Sequence, residues 1–237
     1  MGHFAIVIPV YNPTEHFREL LVRLRSVLAS QPGQWLVVVV NDGSDHWPAV
    51  PRAELPMVIM HHQKNQGKGA ALKTGFRYLA ETAIPWTAVL TLDADLQHPP
   101  EEIPGFLRQF RNENPDVVLG CRNRSPRVMP LHRIASNYLT SLIISLLTGK
   151  KIRDSQSGFR LIRWAQLQSV LPILEEDRFH LESEMLLRVA SHGGKIKHVR
   201  IPTIYNSAPS AIRNWADTMN FIQLIMRFIW KRLWGHV

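Results

Sequence analysis

An open α/β sheet, mostly parallel and covered by helices on both faces, is the fold class this sequence predicts. Three observations predict it. Short apolar runs rich in β-branched residues alternate with helix-period stretches through the first half of the chain. One of those runs, Trp35 to Val40, is apolar throughout, as a strand buried on both faces requires. Polar clusters come directly after three of the runs, and open α/β sheets collect their ligands beyond the carboxyl ends of their strands.

Phe4 to Ile8 reads as a first strand, stopped at Pro9. Glu15 to Ala29 reads as a helix, with Leu20, Leu21, Leu24 and Leu28 on one face, and Pro32-Gly33 breaks it. Trp35 to Val40 is the second strand and Met57 to Met60 the third. Gly67 to Leu79 is a helix, Ala88 to Leu92 a fourth strand, Glu101 to Arg111 a helix after Pro99-Pro100, and Val117 to Gly120 a fifth strand. The rhythm then changes. A basic loop from Arg122 to Arg133 leads into a long apolar stretch, Ile134 to Leu147. A helix over Leu181 to Ala190, a strand over Val199 to Ile201 and a final helix from Ala211 to Trp234 complete the chain. The expected organisation is a catalytic-size domain over 1–210 and an amphipathic helix over 211–237.

Composition excludes several classes. With 45% hydrophobic and 20% charged residues among 237, the chain is neither disordered nor fibrous. Its one cysteine, Cys121, excludes a disulfide framework and a cysteine zinc site and fits a reducing compartment. No apolar run reaches the roughly 20 residues a bilayer span needs, and no leader precedes the first strand, so a cytosolic domain is expected. Lys and Arg total 28 against 19 acids, a net charge of +9. That excess points to an anionic partner: nucleic acid, lipid headgroups or phosphorylated substrates. The interleaved aromatic and basic residues of an RNA-binding sheet are missing, so nucleic acid is not the expected partner.

The strand-end clusters carry the chemistry. Asp93-Ala94-Asp95 sets two carboxylates one residue apart after a buried strand, with Gln97 close behind. Such oxygen donors suit Mg²⁺ or Mn²⁺; equally, acids here can cap the helix beyond Pro99-Pro100. Asn65-Gln66-Gly67-Lys68-Gly69 opens a helix with glycines, whose backbone N–H groups can approach phosphate, and Lys68 adds charge. It lacks the spacing of a Walker loop, and no G-x-G-x-x-G comes after the first strand. A nucleotidyltransferase would also want its glycine-rich loop there, where this chain has Pro9-Val10-Tyr11-Asn12.

Five motifs occur in order: Val7-Ile8-Pro9-Val10-Tyr11-Asn12, Val40-Asn41-Asp42-Gly43-Ser44, Asn65 to Gly69, Leu92 to Glu101, and Asp154 to Arg160. Together they resemble family 2 glycosyltransferases, within them the dolichol-phosphate mannosyltransferase-like branch acting on polyprenyl phosphates, over residues 4 to 210. The resemblance implies a GT-A fold and a UDP- or GDP-hexose donor. It implies that Pro9, Tyr11, Asn12 and Asp42 line the nucleoside pocket, with Asp42 on the base, and that Lys68 and Ala94 adjoin the donor. Asp93, Asp95 and Gln97 would hold Mg²⁺ or Mn²⁺. Arg122, His132, Arg133, Ser136 and Arg160 would meet the acceptor phosphate, and the transfer would invert. A phosphate acceptor is already anionic near neutral pH, whereas a hydroxyl acceptor needs a base; Asp154, Glu182 and Glu184 are the candidates for that duty. Two positions depart from the pattern: Pro13 stands where the family commonly has Glu, and 205–210 lacks Arg and Lys.

The final helix carries Arg213, Asp217, Asn220, Gln223, Arg227 and Lys231 as a polar stripe amid Trp and large aliphatic residues. A helix lying in the cytoplasmic face of a membrane, holding the enzyme peripherally beside a lipid-linked acceptor, is the expectation; packing on the domain, a homodimer seam or a membrane-protein partner would use the same face. The competing readings are transfer to a hydroxyl of a lipid, glycan or metabolite, and a non-catalytic basic protein binding membrane or nucleic acid.

Overall fold

Alternating side chains on doubly buried strands divide the molecule into two cores. The computed structural model describes residues 2–50, 55–124, 129–204 and 214–234; the side chains of residues 132 and 214–217 fall outside that description. Within it, strands β1 (His3–Val10), β2 (Gln34–Asn41), β3 (Met57–His61), β4 (Trp86–Thr91), β5 (Val117–Arg122), β6 (Arg160–Arg163) and β7 (Ile196–Ile201) form one sheet in the order β3-β2-β1-β4-β6-β5-β7. The first four are mutually parallel and β5 runs parallel to β7, while β6 is antiparallel to both β4 and β5.

Phe4, Ile6, Ile8, Val37 and Val39 point to one face, where α1 (Glu15–Ala29) and α3 (Ile103–Glu113) cover them. Ala5, Val7, Val38 and Val40 point to the other, beneath α2 (Lys68–Glu81), α5 (Trp164–Val170) and α6 (Leu181–Ser191). This period-two division is what continuous Val/Ile runs produce in a covered parallel sheet. Pro9 is accommodated near the end of β1 because β4 stops pairing at Val7↔Thr91, two residues earlier.

The apolar stretch after the basic loop is α4 (Leu131–Thr148), ended by Gly149 at φ 66°. Its polarity is inverted. Asn137 and Ser141 are buried, whereas Leu131, Tyr138, Leu139, Leu142 and Leu146 are exposed. The buried hydroxyls serve the extended segment 152–155: Ile152 N donates to Ser145 Oγ and Ser155 N to Ser141 Oγ, each at 3.0 Å. The last helix, α7 (Asn214–Leu233), buries Phe221, Leu224 and Phe228 in the second core and leaves Met226 and Trp230 outside.

The order of elements matches the sequence expectation, with two short elements added, β6 and α5. The sequence does not predict β6, because Arg160-Leu161-Ile162-Arg163 is four residues long and reads as the tail of a motif. The expected boundary at residue 210 lies in 205–213, outside the described residues, as do Ser125 to Arg127 of the basic loop.

Candidate active site

The loops after β1 and β2 are locked to one another. Asn12, at φ 47°, donates its backbone N–H to Ser44 Oγ (2.8 Å), and Asp45 N donates to Asn12 Oδ1 (3.0 Å). Asn41 Oδ1 accepts Ser44 N at 3.0 Å, and Asn41 Nδ2 reaches His61 Nδ1 at 3.1 Å. Tyr11 is half exposed at the rim, beside the half-buried Pro9. These contacts fix the first two strand ends as one wall.

Asp42 is buried, and its carboxylate accepts three hydrogen bonds. It accepts His62 Nδ1 at 2.7 Å, Gln66 N at 2.9 Å and Gly67 N at 2.8 Å. It tethers the loop that starts α2. The same bonds occupy backbone donors of that loop. The N–H groups of Gln66 and Gly67 are spent on Asp42, and Ala70 N donates to Asp177 O at 2.8 Å. The glycines are there for close approach: Gly67 has φ 105°, and a Cβ on Gly69 would lie 2.7 Å from Arg178 O. What the loop delivers to the site is the Lys68 ammonium.

Lys68 Nζ lies 2.6 Å from Asp93 Oδ1 and 3.1 Å from Glu182 Oε1. Burial works against its charge, but the two carboxylates outweigh burial and hold its pKa above the ordinary lysine value. Asp93 is half-buried; burial would raise its pKa, but Lys68 chiefly holds it below the usual carboxylate range. Asp95 moves the other way, raised by burial and by the adjacent Asp93 charge, while Gln97 N donates to its Oδ1 at 3.0 Å. His98, beyond Gln97, is buried with Nδ1 3.4 Å from Asp93 Oδ2 and without a hydrogen bond; burial pushes its pKa down to about 4. Gly158 closes the site from below, since a Cβ there would stand 2.5 Å from Asp93 Oδ2. Thr91 Oγ1 donates to Gly158 O at 2.6 Å and pins it.

The three candidate bases have three positions. Asp154 is fully buried and accepts Arg122 Nε (2.8 Å), Arg122 Nη2 (2.9 Å) and Asn137 Nδ2 (3.0 Å). Burial would raise its pKa, but Arg122 holds it down. Glu184 accepts the backbone N–H groups of Glu175 and Glu176, each at 2.9 Å from Oε2. Both carboxylates are held by donors of the protein itself. Glu182 alone of the three reaches the Lys68–Asp93 cluster. Arg160 is 1% exposed and donates to the carbonyls of Ser155, Ser157 and Glu182, so it clamps segment 155–157 to the start of α6.

Of the other expected acceptor contacts, Arg122 is oriented by Asp154. Arg133 lies one turn before Asn137 on the same face of α4, Ser136 is exposed, and the His132 side chain lies outside the described residues. Sequence reasoning misses Asn137, His62 and Gly158. Gly158 alone has a local signal, within Ser157-Gly158-Phe159.

The donor set fits a hard divalent cation in part. Among the described residues no three His, Cys, Asp or Glu side chains gather as a ready-made metal cluster. The protein offers two adjoining carboxylates whose mutual repulsion raises Asp95, a charge pattern that a cation relieves, and leaves other coordination positions to diphosphate oxygens and water.

Comparisons with known proteins agree with this architecture. The family model described as "Glycosyl transferase family 2" matches residues 5–169. An uncharacterised protein of Methanocaldococcus jannaschii, MJ1222, is 31% identical over 206 residues, covering 84% of this chain and 81% of its own length. Undecaprenyl-phosphate 4-deoxy-4-formamido-L-arabinose transferase of Salmonella choleraesuis is 31% identical over 181 residues, 74% of this chain. The match spans only 53% of that enzyme. Glucosyl-3-phosphoglycerate synthase of Mycobacterium tuberculosis, crystallised with phosphoglyceric acid, superposes with a TM-score of 0.70 at 16% identity, over 96% of this chain and 80% of its own. Other crystals of that enzyme contain UDP with Mn²⁺ or Mg²⁺. At that identity the likeness shows the fold.

Proposed function

This chain belongs to glycosyl transferase family 2, and on that premise we propose that it moves a hexose from a UDP- or GDP-sugar to a polyprenyl phosphate, with inversion and with Mg²⁺ or Mn²⁺ bound at Asp93, Asp95 and Gln97. Membership makes it an enzyme and removes the non-catalytic binding protein from consideration. The lipid acceptor is supported by the Salmonella relative, whose name specifies undecaprenyl phosphate.

The observation that carries the choice of acceptor is the commitment of the carboxylates. Asp154 and Glu184 are bound up in structural hydrogen bonds, and Glu182 is ion-paired to Lys68. A hydroxyl nucleophile requires a carboxylate to take its proton; a phosphate monoester, with a second pKa of about 6, does not. The site is equipped for charge: a cation bound at Asp93 and Asp95 offsets the negative charge the departing nucleoside diphosphate gains. Lys68, kept protonated by its two carboxylates, supplies a fixed positive charge beside that leaving group. Arg122, aligned by Asp154 and Asn137, presents its guanidinium toward the acceptor side, with Arg133 and Ser136 on α4 nearby.

Attachment to the cytoplasmic face of the membrane completes the reading. Among the described residues no helix is long and apolar enough to cross a membrane. The outward apolar stripes of α4 and α7, which include Tyr138, Trp230 and Trp234, suit insertion into the bilayer interface.

The test is transfer of labelled hexose from UDP- and GDP-sugars, with Mg²⁺ or Mn²⁺, to undecaprenyl phosphate and separately to a hydroxyl-bearing glycolipid. An inverted glycosyl phosphate is the expected product. Transfer to the glycolipid alone would replace this reading with hydroxyl glycosylation.

A further inference from the structure

Residues 175–178 join two parts of the molecule that the sequence keeps far apart. They run between the buried Leu174 and Leu181 and press against the start of α2. Ala70 N donates to Asp177 O at 2.8 Å, and the buried Lys73 sets its Nζ 2.5 Å from Asp177 Oδ1 and 3.5 Å from Glu175 O. The approach leaves no room for side chains: a Cβ on Gly67 would lie 2.5 Å from Asp177 O, and one on Gly69 2.7 Å from Arg178 O. Lys68 stands between those two glycines. Its partner Glu182 is the second residue of α6, into which the segment runs. Both members of that ion pair are therefore carried by backbone that residues 175–178 brace.

The outer grip on this segment comes from α7. Arg227 and Lys231, one turn apart on a single helix face, pair with Glu176 and Glu175, and Arg227 Nη1 also lies 3.7 Å from Glu175 Oε2. The Phe221 ring sits 6.3 Å from that of His180, and Phe221, Leu224 and Phe228 share one core with Leu174 and Leu181. A lone exposed ion pair contributes little. Here two cations and two adjacent acids form one network, with Glu176 largely buried and an apolar anchor beside it. The segment is thus held by α7 on one side and by Lys73 and Ala70 on the other.

We propose that α7 is a positioning element of the donor site: Arg227 and Lys231 hold residues 175–178 against the first turn of α2, and this docking sets where Lys68 and Glu182 stand. The proposal rests on the reading of the Lys68–Asp93 cluster as the donor site and on no choice of sugar or acceptor. Loosening the segment lowers the fraction of molecules in which the cluster is assembled, and donor affinity falls with that fraction. Two basic residues of the last helix therefore act on nucleotide binding through a segment that meets both.

The test reverses the pairs and then restores them. One variant carries Arg227→Glu with Lys231→Glu. A second adds Glu175→Lys and Glu176→Lys, which rebuilds the pairs with their signs exchanged. Arg108→Glu with Arg111→Glu, two exposed arginines on α3, is a control of equal charge change. Hydrogen exchange is followed over residues 66–73 of the full chain, and UDP and GDP are titrated calorimetrically with Mn²⁺. The first variant is expected to lose about tenfold in protection at the Ala70 amide and about fivefold in nucleotide affinity, with far-UV circular dichroism unchanged. The second variant is expected to recover both, and the control to change neither. Unchanged nucleotide affinity in the first variant overturns the proposal, whether or not exchange quickens. So does an equal loss in the control, or a loss that the exchanged pairs do not recover. Failure of the donor reading looks different: wild type itself would then bind neither nucleotide in a manner that Asp95→Ala abolishes, and the proposal would fall with it.

Discussion

Glu182 and Glu184 sit two residues apart at the start of one helix and do unrelated work, because each is defined by what lies opposite it. Glu182 faces Lys68, whereas Glu184 caps the turn at 175–176. Their variants should separate accordingly. Glu184→Gln leaves buried backbone donors with a poorer acceptor and is expected to lower stability by about 1–3 kcal/mol, read as a shift in urea midpoint, with catalysis per folded molecule retained. Asp95→Ala is expected to abolish transfer while the urea midpoint stays near wild type; near-normal turnover would remove Asp95 from the donor site. Gly158→Ala tests the cluster from below. Its methyl group would press on Asp93 Oδ2 and Lys68 Nζ, at 2.5 and 2.9 Å, so transfer is expected to fall by at least about tenfold with the fold intact. The identity of the key acids is legible in Asp93-Ala94-Asp95, since strand-end position and spacing are local properties. The duty of Asp42 is not. Its partners Gln66 and Gly67 lie 24 and 25 residues away, and only the packed loop shows that the carboxylate holds them.

At the scale of elements, α4 and α7 state the membrane question most sharply. On α4 Asn137 and Ser141 face inward beside Ile144, while Leu131, Leu139, Leu142 and Leu146 face outward, an apolar outer face that a helix merely covering a domain would not carry. Sequence shows that both segments are apolar. It does not show that Asn137, Ser141 and Ser145 are the inward residues, because their partners are the backbone groups of 152–155 and Asp154. For α7, sequence leaves open whether the helix packs or binds lipid, and the structure gives it a face for each. Phe221, Leu224 and Phe228 are buried, while Arg227 and Lys231 of the expected polar stripe pair with Glu175 and Glu176. Deleting 211–237 would therefore strip three large side chains from the core, at about 3 kcal/mol each by the cost of core truncation, and report unfolding before it reported membrane release. The informative variants are on the outer faces. Leu139→Asp with Leu146→Asp, at positions 56% and 73% exposed, is expected to reduce vesicle partitioning at least about tenfold with little change in thermal midpoint. Unchanged partitioning would exclude α4 from the bilayer.

Across the whole molecule, the net charge of +9 is unevenly felt, and a pH titration of stability reads where it concentrates. His198 has a folded pKa of about 4 against an unfolded value near 6.5. The folded chain therefore holds fewer protons than the unfolded chain between those values, and acid favours unfolding. The stabilising contribution is complete above about pH 6.5, declines as pH falls and is gone below about pH 4. Between about pH 7 and pH 5 the ceiling on the loss is about 2 kcal/mol; partial exposure and ionic screening bring the expected loss closer to about 1 kcal/mol. His98, also pushed to about 4, adds a slope of the same sign, so His198→Gln is expected to remove part of the pH dependence rather than all of it. A depressed carboxyl such as Asp154 loses its stabilising effect only at lower pH, and the raised Asp95 and Glu184 add a slope of opposite sign that is common to wild type and His198→Gln and cancels in their difference. Urea midpoints at both pH values, for wild type and His198→Gln, measure the difference directly. Salt discriminates the cause. Burial pushes the His198 pKa down first, and the charges of Arg153, Lys151 and Lys197 push it further. If those charges supply much of the shift, raising ionic strength screens them, lifts the folded pKa and flattens the wild-type slope toward that of the variant. A slope indifferent to salt would assign the shift to burial alone.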